Sequence, residues 1–167
     1  MPGPLSGYRI IDLTAVVLGP VATLHLADMG ADVIKVEPPE GDIMRNAGNA
    51  PTQGMGPIYL GLNRNKRALC LDLKKPEAVA ALKRLIASAD VFVHNMRVEA
   101  VERLGLGYEA VKAVKPDIVY AYSVGYKHAG PYGRKPAFDD LVQGASGAAM
   151  LASRVDGGPP RFLPTLV

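Results

Sequence analysis

Hydrophobic residues along the first forty positions form two short runs separated by a helical pattern. The runs Tyr8–Leu13 and Ala31–Glu37 are rich in β-branched residues and predict β-strands. Between them, Pro20 suits the first turn of a helix and Gly30 suits its C-terminal end. The order strand, helix, strand predicts a β-α-β unit whose parallel strands are joined by a right-handed crossover.

The same alternation continues through the rest of the chain. Further strands are predicted at Arg67–Leu73, Asp90–Asn95, Asp117–Val124 and Phe162–Val167, and helices in KPEAVAALKRLIASA, VEAVERLG, GYEAVKAV and, from Phe138, FDDLVQGASGAAML. Near-continuous apolar strands that alternate with helices are typical of a parallel sheet covered on both faces. The predicted fold class is therefore α/β, with a Rossmann-like, doubly wound, mostly parallel sheet.

One long segment departs from this pattern. Pro38–Asn63 is rich in Gly, Pro and Asn and has little periodicity. Because it exceeds the usual length of a connection between elements, we interpret it as a functional loop rather than a linker.

Composition narrows the class of protein. The chain has 167 residues, of which 49% are hydrophobic and 21% charged, which is ordinary for one globular domain. No apolar run approaches the roughly 18 residues of a membrane span, and the first residues lack the pattern of a signal peptide. We therefore expect a cytoplasmic protein that does not bind membranes.

Charge and cysteine content exclude further classes. The net charge is +3, but the basic residues are scattered rather than aligned in a stripe, which argues against a nucleic-acid surface. Cys70 is the single cysteine, so neither an intrachain disulfide nor a cysteine-based metal site can form. Its apolar neighbours predict a buried structural thiol.

The segments that follow the predicted strands are the candidate ligand contacts, because doubly wound sheets bind ligands outside the carboxyl ends of their strands. Several of these segments carry a basic residue, namely Lys74, Arg97 and Lys127, which indicates phosphate groups at the rim. A dinucleotide fingerprint would need G-x-G-x-x-G after the first strand, where only Gly19 occurs, and the chain contains no P-loop sequence. NAD binding and nucleoside triphosphate hydrolysis are therefore disfavoured.

Catalytic side chains do not form an obvious constellation in the sequence. The three histidines lie far apart without the spacing of metal ligands, so no metal site is predicted. Asp139 and Asp140 open the last predicted helix, where negative charge is favourable against the helix dipole. A role for a carboxylate in a site is the alternative, and the two interpretations remain open.

Four stretches taken together resemble the family III coenzyme A (CoA) transferases, which include formyl-CoA and carnitine-CoA transferases and their relatives the α-methylacyl-CoA racemases. The stretches are DLTAVVLGPVATLHLADMGADVIKVEPPEGD, NRNKRALCLDLK, VFVHNMRVEAVERLGLGYEAV and GPYGRKPAFDDLVQGASG. They occur in order, with family-like spacing, and cover the whole chain. The resemblance implies CoA as co-substrate and accounts for the basic rim, since CoA carries a diphosphate and a 3′-phosphate.

The resemblance also implies which residues contact CoA. Val17 and Leu18 would lie against it. Pro38 replaces a frequent nucleotide-binding arginine, so that contact is either lost or supplied by another residue such as Arg45. The other implied contacts are Leu71, Asp72, Leu73 and Lys74 on the adenosine side, Asn95, Met96 and Arg97 on the diphosphate and pantetheine side, Arg103 as a further phosphate partner, and Ala137 and Phe138 near the thioester, with Asp139 as a supporting catalytic residue. We expect Leu71 and Leu73 to contribute backbone contacts, with their side chains in the core.

The family mechanism implied by the resemblance is covalent catalysis by an aspartate, through a mixed anhydride and an aspartyl-CoA thioester. The resemblance places this aspartate about two residues beyond Val167. We therefore expect residues 1–167 to be the N-terminal part of a CoA-binding large domain, without the second domain and C-terminal return segment of an intertwined homodimer. The 167-residue chain alone would then be inactive.

Two alternatives remain beside the transferase, which would act on an acyl-CoA and a small carboxylic acid. An α-methylacyl-CoA racemase needs two bases, one of them usually a histidine at the position where this chain has Phe138. The other alternative is a non-catalytic CoA-binding fragment.

Overall fold

A five-stranded parallel sheet forms the centre of the first of two compact units, which ends at Ser123. The computed structural model describes residues 3–163. The strands are β1 (Arg9–Leu13), β2 (Asp32–Glu37), β3 (Lys66–Cys70), β4 (Val91–His94) and β5 (Val119–Tyr122), arranged in the order β3-β2-β1-β4-β5. All four strand pairings are parallel, so the predicted α/β fold is confirmed.

Helices cover both faces of this sheet. They are α1 (Leu18–Asp28), α2 (Pro57–Asn63), α3 (Pro76–Ile86), α4 (Val98–Arg103) and α5 (Tyr108–Val114), with a 3-10 helix at Ile43–Asn46. On one face, Ile11 and Phe92 pack with Leu82 of α3 and Val111 of α5 in a large apolar core. On the other face, a smaller core contains Ala27 of α1. Alternate residues of β1, β2, β4 and β5 therefore pack in different cores, as in a doubly wound sheet.

The first β-α-β unit follows its sequence signals. Pro20 lies in the first turn of α1, and Gly30 follows the helix with a φ of +99°. A glycine tolerates this left-handed conformation because it has no Cβ. The signals that predicted the start and end of this helix are thus confirmed.

The segment Pro38–Asn63 contains more regular structure than predicted. Helix α2 begins at Pro57, and its Tyr59 is only 7% exposed. Seven residues are too few to show a clear helical period in the sequence. The helix is stabilised by tertiary contacts of the buried Tyr59, which the neighbouring sequence does not predict.

The strand β3 corrects two predictions. It ends at Cys70 rather than Leu73, because Asp72 forms a turn in which its carbonyl accepts from the Lys75 amide at 2.9 Å. Cys70 is exposed, so the prediction of a buried thiol is wrong. The physical reason is that β3 lies at the edge of the sheet, where an apolar sequence does not ensure burial.

The second compact unit begins at Val124, and its described residues, 124–163, form two helices where one was predicted. They are α6 (Asp139–Ser146) and α7 (Ala148–Asp156), separated by Gly147 with a φ of +81°. The predicted strand Phe162–Val167 is not confirmed at Phe162 and Leu163, which lie outside regular structure, and its residues 164–167 lie outside the described part of the chain. That the chain forms part of one larger CoA-binding domain stays a prediction.

None of the helices formed by residues 3–163 has the length and apolarity needed to cross a lipid bilayer.

We predict that Gly19→Ala destabilises the first unit. A Cβ at this position would lie 2.3 Å from the Cβ and Cγ2 atoms of the buried Thr14, so the substitution should lower the free energy of unfolding by roughly 1–3 kcal/mol in a denaturant titration. Gly61→Ala is the matched control, since Gly61 is helical and has open space around it. In Gly61→Ala the free energy of unfolding should rise by about 0.5–1 kcal/mol. Equal stability of Gly19→Ala and the unmodified chain would contradict the prediction.

Candidate functional site

A cavity of about 420 Å³ opens at the carboxyl ends of β1, β2 and β4. Its walls come from the ends of these strands and the segments that follow them, and from the segment after β3. The lining residues are Leu13, Thr14, Ala15, Lys35, Val36, residues 37–43, residues 71–74, Asn95, Met96 and Leu104. The cavity lies beside the neighbouring strands β1 and β4, where the strand order reverses. Doubly wound sheets bind their ligands at this position.

Six of the residues assigned to CoA by resemblance line this cavity. They are Leu71, Asp72, Leu73, Lys74, Asn95 and Met96. The first four and the last two belong to segments that follow different strands, and the parallel sheet brings them together. Lys74 is exposed at the rim, whereas Leu71 and Leu73 are partly buried and pack against the core, as expected for their side chains.

Other assigned residues lie outside the lining of the cavity. Val17 is the N-cap of α1, and Leu18 at its first position is 60% exposed. Arg97 is the N-cap of α4 and Arg103 its last residue, and both are exposed. Their roles in CoA binding stay predictions.

Three assigned residues belong to the second unit. Ala137 approaches Gly125 so closely that a Cβ on Gly125 would lie 2.0 Å from the Cβ of Ala137. Phe138 is the exposed N-cap of α6. Asp139 opens that helix, and its Oδ2 accepts a hydrogen bond from Gln143 Nε2 at 2.7 Å. This position agrees with the helix-dipole interpretation of Asp139, and its supporting catalytic role stays a prediction.

Arg45 forms an ion pair with Glu37. Its Nε and Nη2 atoms donate to the two carboxylate oxygens at 2.7 and 2.9 Å, and its guanidinium lies 3.8 Å from the centre of the Tyr59 ring. The Tyr59 hydroxyl donates to Glu37 Oε1 at 2.6 Å. Arg45 and Glu37 also line a second cavity of about 300 Å³ beside β3. The guanidinium assigned to the nucleotide is therefore engaged within the protein.

Glu37, Arg45 and Tyr59 form the Glu37–Arg45–Tyr59 cluster, in which the pKa values of Glu37 and Tyr59 are shifted from their usual values. Burial alone would raise the pKa of Glu37, but hydrogen bonds from Arg45, Tyr59 and the Asp42 amide outweigh it and lower the pKa to about 2. Burial and the hydrogen bond to Glu37 raise the pKa of Tyr59. The cluster therefore holds a carboxylate, a guanidinium and a neutral phenol at neutral pH.

Two lysines with buried side chains were not selected from the sequence, Lys35 in the lining of the cavity and Lys66 outside that lining. Lys35 Nζ lies 3.0 Å from Asp42 Oδ2, and Lys66 Nζ lies 3.1 Å from Asp12 Oδ2. All four side chains are at most 1% exposed. A sequence signal exists for Lys35, because a lysine within the apolar strand DVIKVE must find a partner when both faces are covered.

The side chain of His94 anchors the end of β4. Its Nδ1 accepts from the Met96 amide at 3.2 Å, so the neutral ring carries its proton on Nε2, which lies 2.8 Å from the Tyr120 hydroxyl. That hydroxyl donates in turn to the Leu106 carbonyl at 3.0 Å. Burial lowers the pKa of His94 to about 4, which keeps the ring neutral.

Comparison with known proteins identifies the family. The sequence profile of CoA-transferase family III matches residues 5–167. The chain belongs to the family III CoA-transferases. This family III chain is 39% identical to the mouse (Mus musculus) succinyl-CoA:glutarate CoA-transferase, over 95% of this chain and 36% of the mouse protein. It is 40% identical to the succinate–glutarate CoA-transferase of Agrobacterium fabrum, over 93% of this chain and 41% of that protein.

A solved structure agrees with this assignment. The crystal structure of a CAIB/BAIF family protein from Brucella suis superposes with a TM-score of 0.92 at 33% identity, over 99% of this chain and 44% of that one. The family III chain thus spans less than half the length of these relatives.

We predict that Lys35→Met destabilises the family III chain strongly. The variant leaves the Asp42 carboxylate buried without its cation, so the free energy of unfolding should fall by about 3–5 kcal/mol in a denaturant titration. Arg64→Ala is the comparison, because the Arg64–Asp28 pair is largely exposed and should contribute less than about 1 kcal/mol. Similar losses in the two variants would contradict the prediction.

We predict that stability falls in two steps on acidification. The unfolded chain binds a proton at His94 near pH 6.5, but the folded chain binds it only near pH 4, so stability falls as pH decreases through this window. Glu37 acts likewise between pH 4.5 and about 2. Each group should contribute a loss of up to roughly 3 kcal/mol, measured by denaturant titration at each pH. His94→Gln should remove the dependence of the unfolding free energy on pH between pH 6.5 and about 4 and leave the dependence below pH 4.5 unchanged. If the His94→Gln variant shows the same pH dependence as the unmodified chain, the role given to His94 is wrong.

Proposed function

We propose that this chain supplies part of the CoA-binding domain of an enzyme that moves CoA from an acyl-CoA thioester to a carboxylic acid. The observation that carries this proposal is the cavity at the carboxyl ends of β1, β2 and β4, lined by six residues that the family resemblance assigns to CoA. The names of the mouse and Agrobacterium relatives, which describe CoA exchange between succinate and glutarate, support this type of reaction.

The chemistry of the cavity suits CoA. Apolar side chains such as Leu13, Leu73 and Leu104 offer contacts to the pantetheine arm or the adenine ring. At the rim, Lys74 offers an ammonium group to a phosphate. The lining therefore combines a mainly apolar wall with a cation at its opening.

The proposed reaction requires an aspartate about two residues beyond Val167. Its carboxylate oxygen attacks the thioester carbonyl and the C–S bond breaks. CoA thiolate departs, and the aspartate and the acyl group are joined in a mixed anhydride. The thiolate attacks the aspartyl carbonyl of the anhydride and releases the donor acid as its carboxylate. The acceptor carboxylate then displaces CoA thiolate from the aspartyl-CoA thioester, and the thiolate attacks the acceptor carbonyl of the second anhydride to restore the aspartate. No net proton is consumed.

In this proposal the 167-residue chain binds CoA without turnover. Turnover takes place in an intertwined homodimer of a longer chain, in which Asp139 is a supporting catalytic residue. The residues of the described cavity bind and orient CoA, while the acyl group and the acceptor acid depend on the remainder of the enzyme.

We predict that CoA binds to the 167-residue chain and that Lys74→Ala weakens this binding roughly three- to tenfold at low salt, because a charge-assisted phosphate contact is lost. Isothermal titration calorimetry with free CoA measures the effect. Arg84→Ala is the control, since Arg84 is an exposed cation of α3 outside the cavity lining. Absence of CoA binding by the unmodified chain would refute the proposed site.

Two further variants test the remaining phosphate contacts. In the same calorimetric titration with free CoA, Arg97→Ala and Arg103→Ala should each weaken binding. The reason is that each variant removes an exposed guanidinium that the family resemblance assigns to CoA. Unchanged affinity in both variants would remove them from the site.

The covalent mechanism is tested in a protein extended to include the expected aspartate. Hydroxylamine added during turnover should modify that residue, which mass spectrometry of peptides would detect. Exchange of an α-proton for deuterium without CoA transfer would instead support the racemase alternative.

A further inference from the structure

Five consecutive polar backbone groups in the turn after β1 are bound by side chains from four different segments. The Thr14 amide donates to Asp12 Oδ1 at 2.9 Å, and the Thr14 carbonyl accepts from Lys35 Nζ at 2.8 Å. Asn95 accepts from the Ala15 amide at 3.0 Å and donates to the Ala15 carbonyl at 2.8 Å. This turn lines the cavity through Thr14 and Ala15, so its backbone conformation shapes the wall that meets a ligand.

The fifth group, the Val16 amide, donates to Asp42 Oδ1 at 3.3 Å. The same carboxylate accepts from the Met44 amide at 3.0 Å and from Lys35 Nζ at 3.0 Å. Asp42 and Lys35 are each 1% exposed. One buried ion pair therefore connects the turn after β1 with the segment after β2, and these are two walls of the same cavity.

Val16 adopts a strained backbone conformation. Its φ is +73°, in the left-handed region where a β-branched residue is a genuine outlier. Such strain persists only where surrounding contacts hold it. The contact made by the Val16 amide is the hydrogen bond to Asp42, so Asp42 opposes relaxation of Val16 toward a negative φ.

We propose that Asp42, paired with Lys35, is a positioning residue for the ligand. It holds Val16 in the left-handed conformation and thereby presents Thr14 and Ala15 to the cavity. The inference rests on the proposed function, because CoA is the ligand used to test it. It adds to that function a residue that acts through the backbone of the turn.

The test is a rescue experiment with free CoA and isothermal titration calorimetry. Asp42→Ala should weaken CoA binding about tenfold, since the turn relaxes when Val16 loses its partner. Val16→Gly alone should bind CoA within about threefold of the unmodified chain, because glycine adopts a positive φ without strain and Asp42 still holds the turn. The double variant Val16→Gly/Asp42→Ala should recover most of the lost affinity. A loss caused only by a weakened fold or a missing cavity contact would not be rescued.

Controls separate positioning from stability. Ile10→Ala removes a buried side chain at the amino end of β1, away from the cavity, and should leave CoA affinity unchanged below its unfolding temperature. If Asp42→Ala does not fold, Asp42→Asn replaces it, with the same rescue expected from Val16→Gly. Equal affinities of the Asp42 variant and its Val16→Gly double variant, or undiminished affinity of the Asp42 variant, would overturn the proposal.

A readout without ligand distinguishes the two proposals. Amide hydrogen exchange at Ala15 and Val16 should accelerate in the Asp42 variant but not in Ile10→Ala. If the unmodified chain does not bind CoA, the proposed function fails while this exchange measurement still decides the positioning role. Unchanged exchange at both amides would refute it.

Discussion

The burial of two lysine side chains in the sheet, Lys35 of β2 and Lys66 of β3, is the constraint on which the rest of the structure depends. An ammonium group removed from water is very unfavourable unless an anion and further hydrogen bonds compensate it. Lys35 therefore requires Asp42, and Lys66 requires Asp12. Lys35 also donates to the Thr14 carbonyl, and Asp42 accepts from the Val16 amide. This one ion pair therefore holds the turn after β1 against the segment after β2, while the Lys66–Asp12 pair joins β3 to β1. The shape of the cavity follows from charge compensation as much as from apolar packing.

Charge compensation also organises the Glu37–Arg45–Tyr59 cluster, whose Glu37 and Arg45 line the second cavity beside β3. Each donor reaches a carboxylate oxygen of Glu37, and Arg45 also stacks on Tyr59. The Arg45 guanidinium therefore stabilises the segment after β2. To bind a nucleotide as well, it must divide its N–H donors between Glu37 and that nucleotide. The resemblance to family III transferases assigned Arg45 by its type and position in sequence, which carry no information about an internal partner.

The α/β fold was predictable because its signals are local. Apolar strands, a proline in the first helical turn and a glycine after the helix each determine structure within a few residues. The cavity residues of the segments after β3 and β4 were predictable too, since carboxyl ends of parallel strands meet at one edge. Predictions failed where burial depended on position in the sheet, as for the exposed Cys70, or on one distant anchor, as for α2 and Tyr59.

The sequence by itself determined the alternation of strands and helices, the class of fold and the resemblance to CoA-transferases, because these follow from short-range patterns and ordered motifs. Only the tertiary structure decided which charged residues are buried, which of them pair, and how Val16 is held in a strained conformation. Ion pairing and burial depend on distances between segments far apart along the chain, and the sheet brings Lys35 and Asp42 to the turn that precedes them by some twenty residues or more.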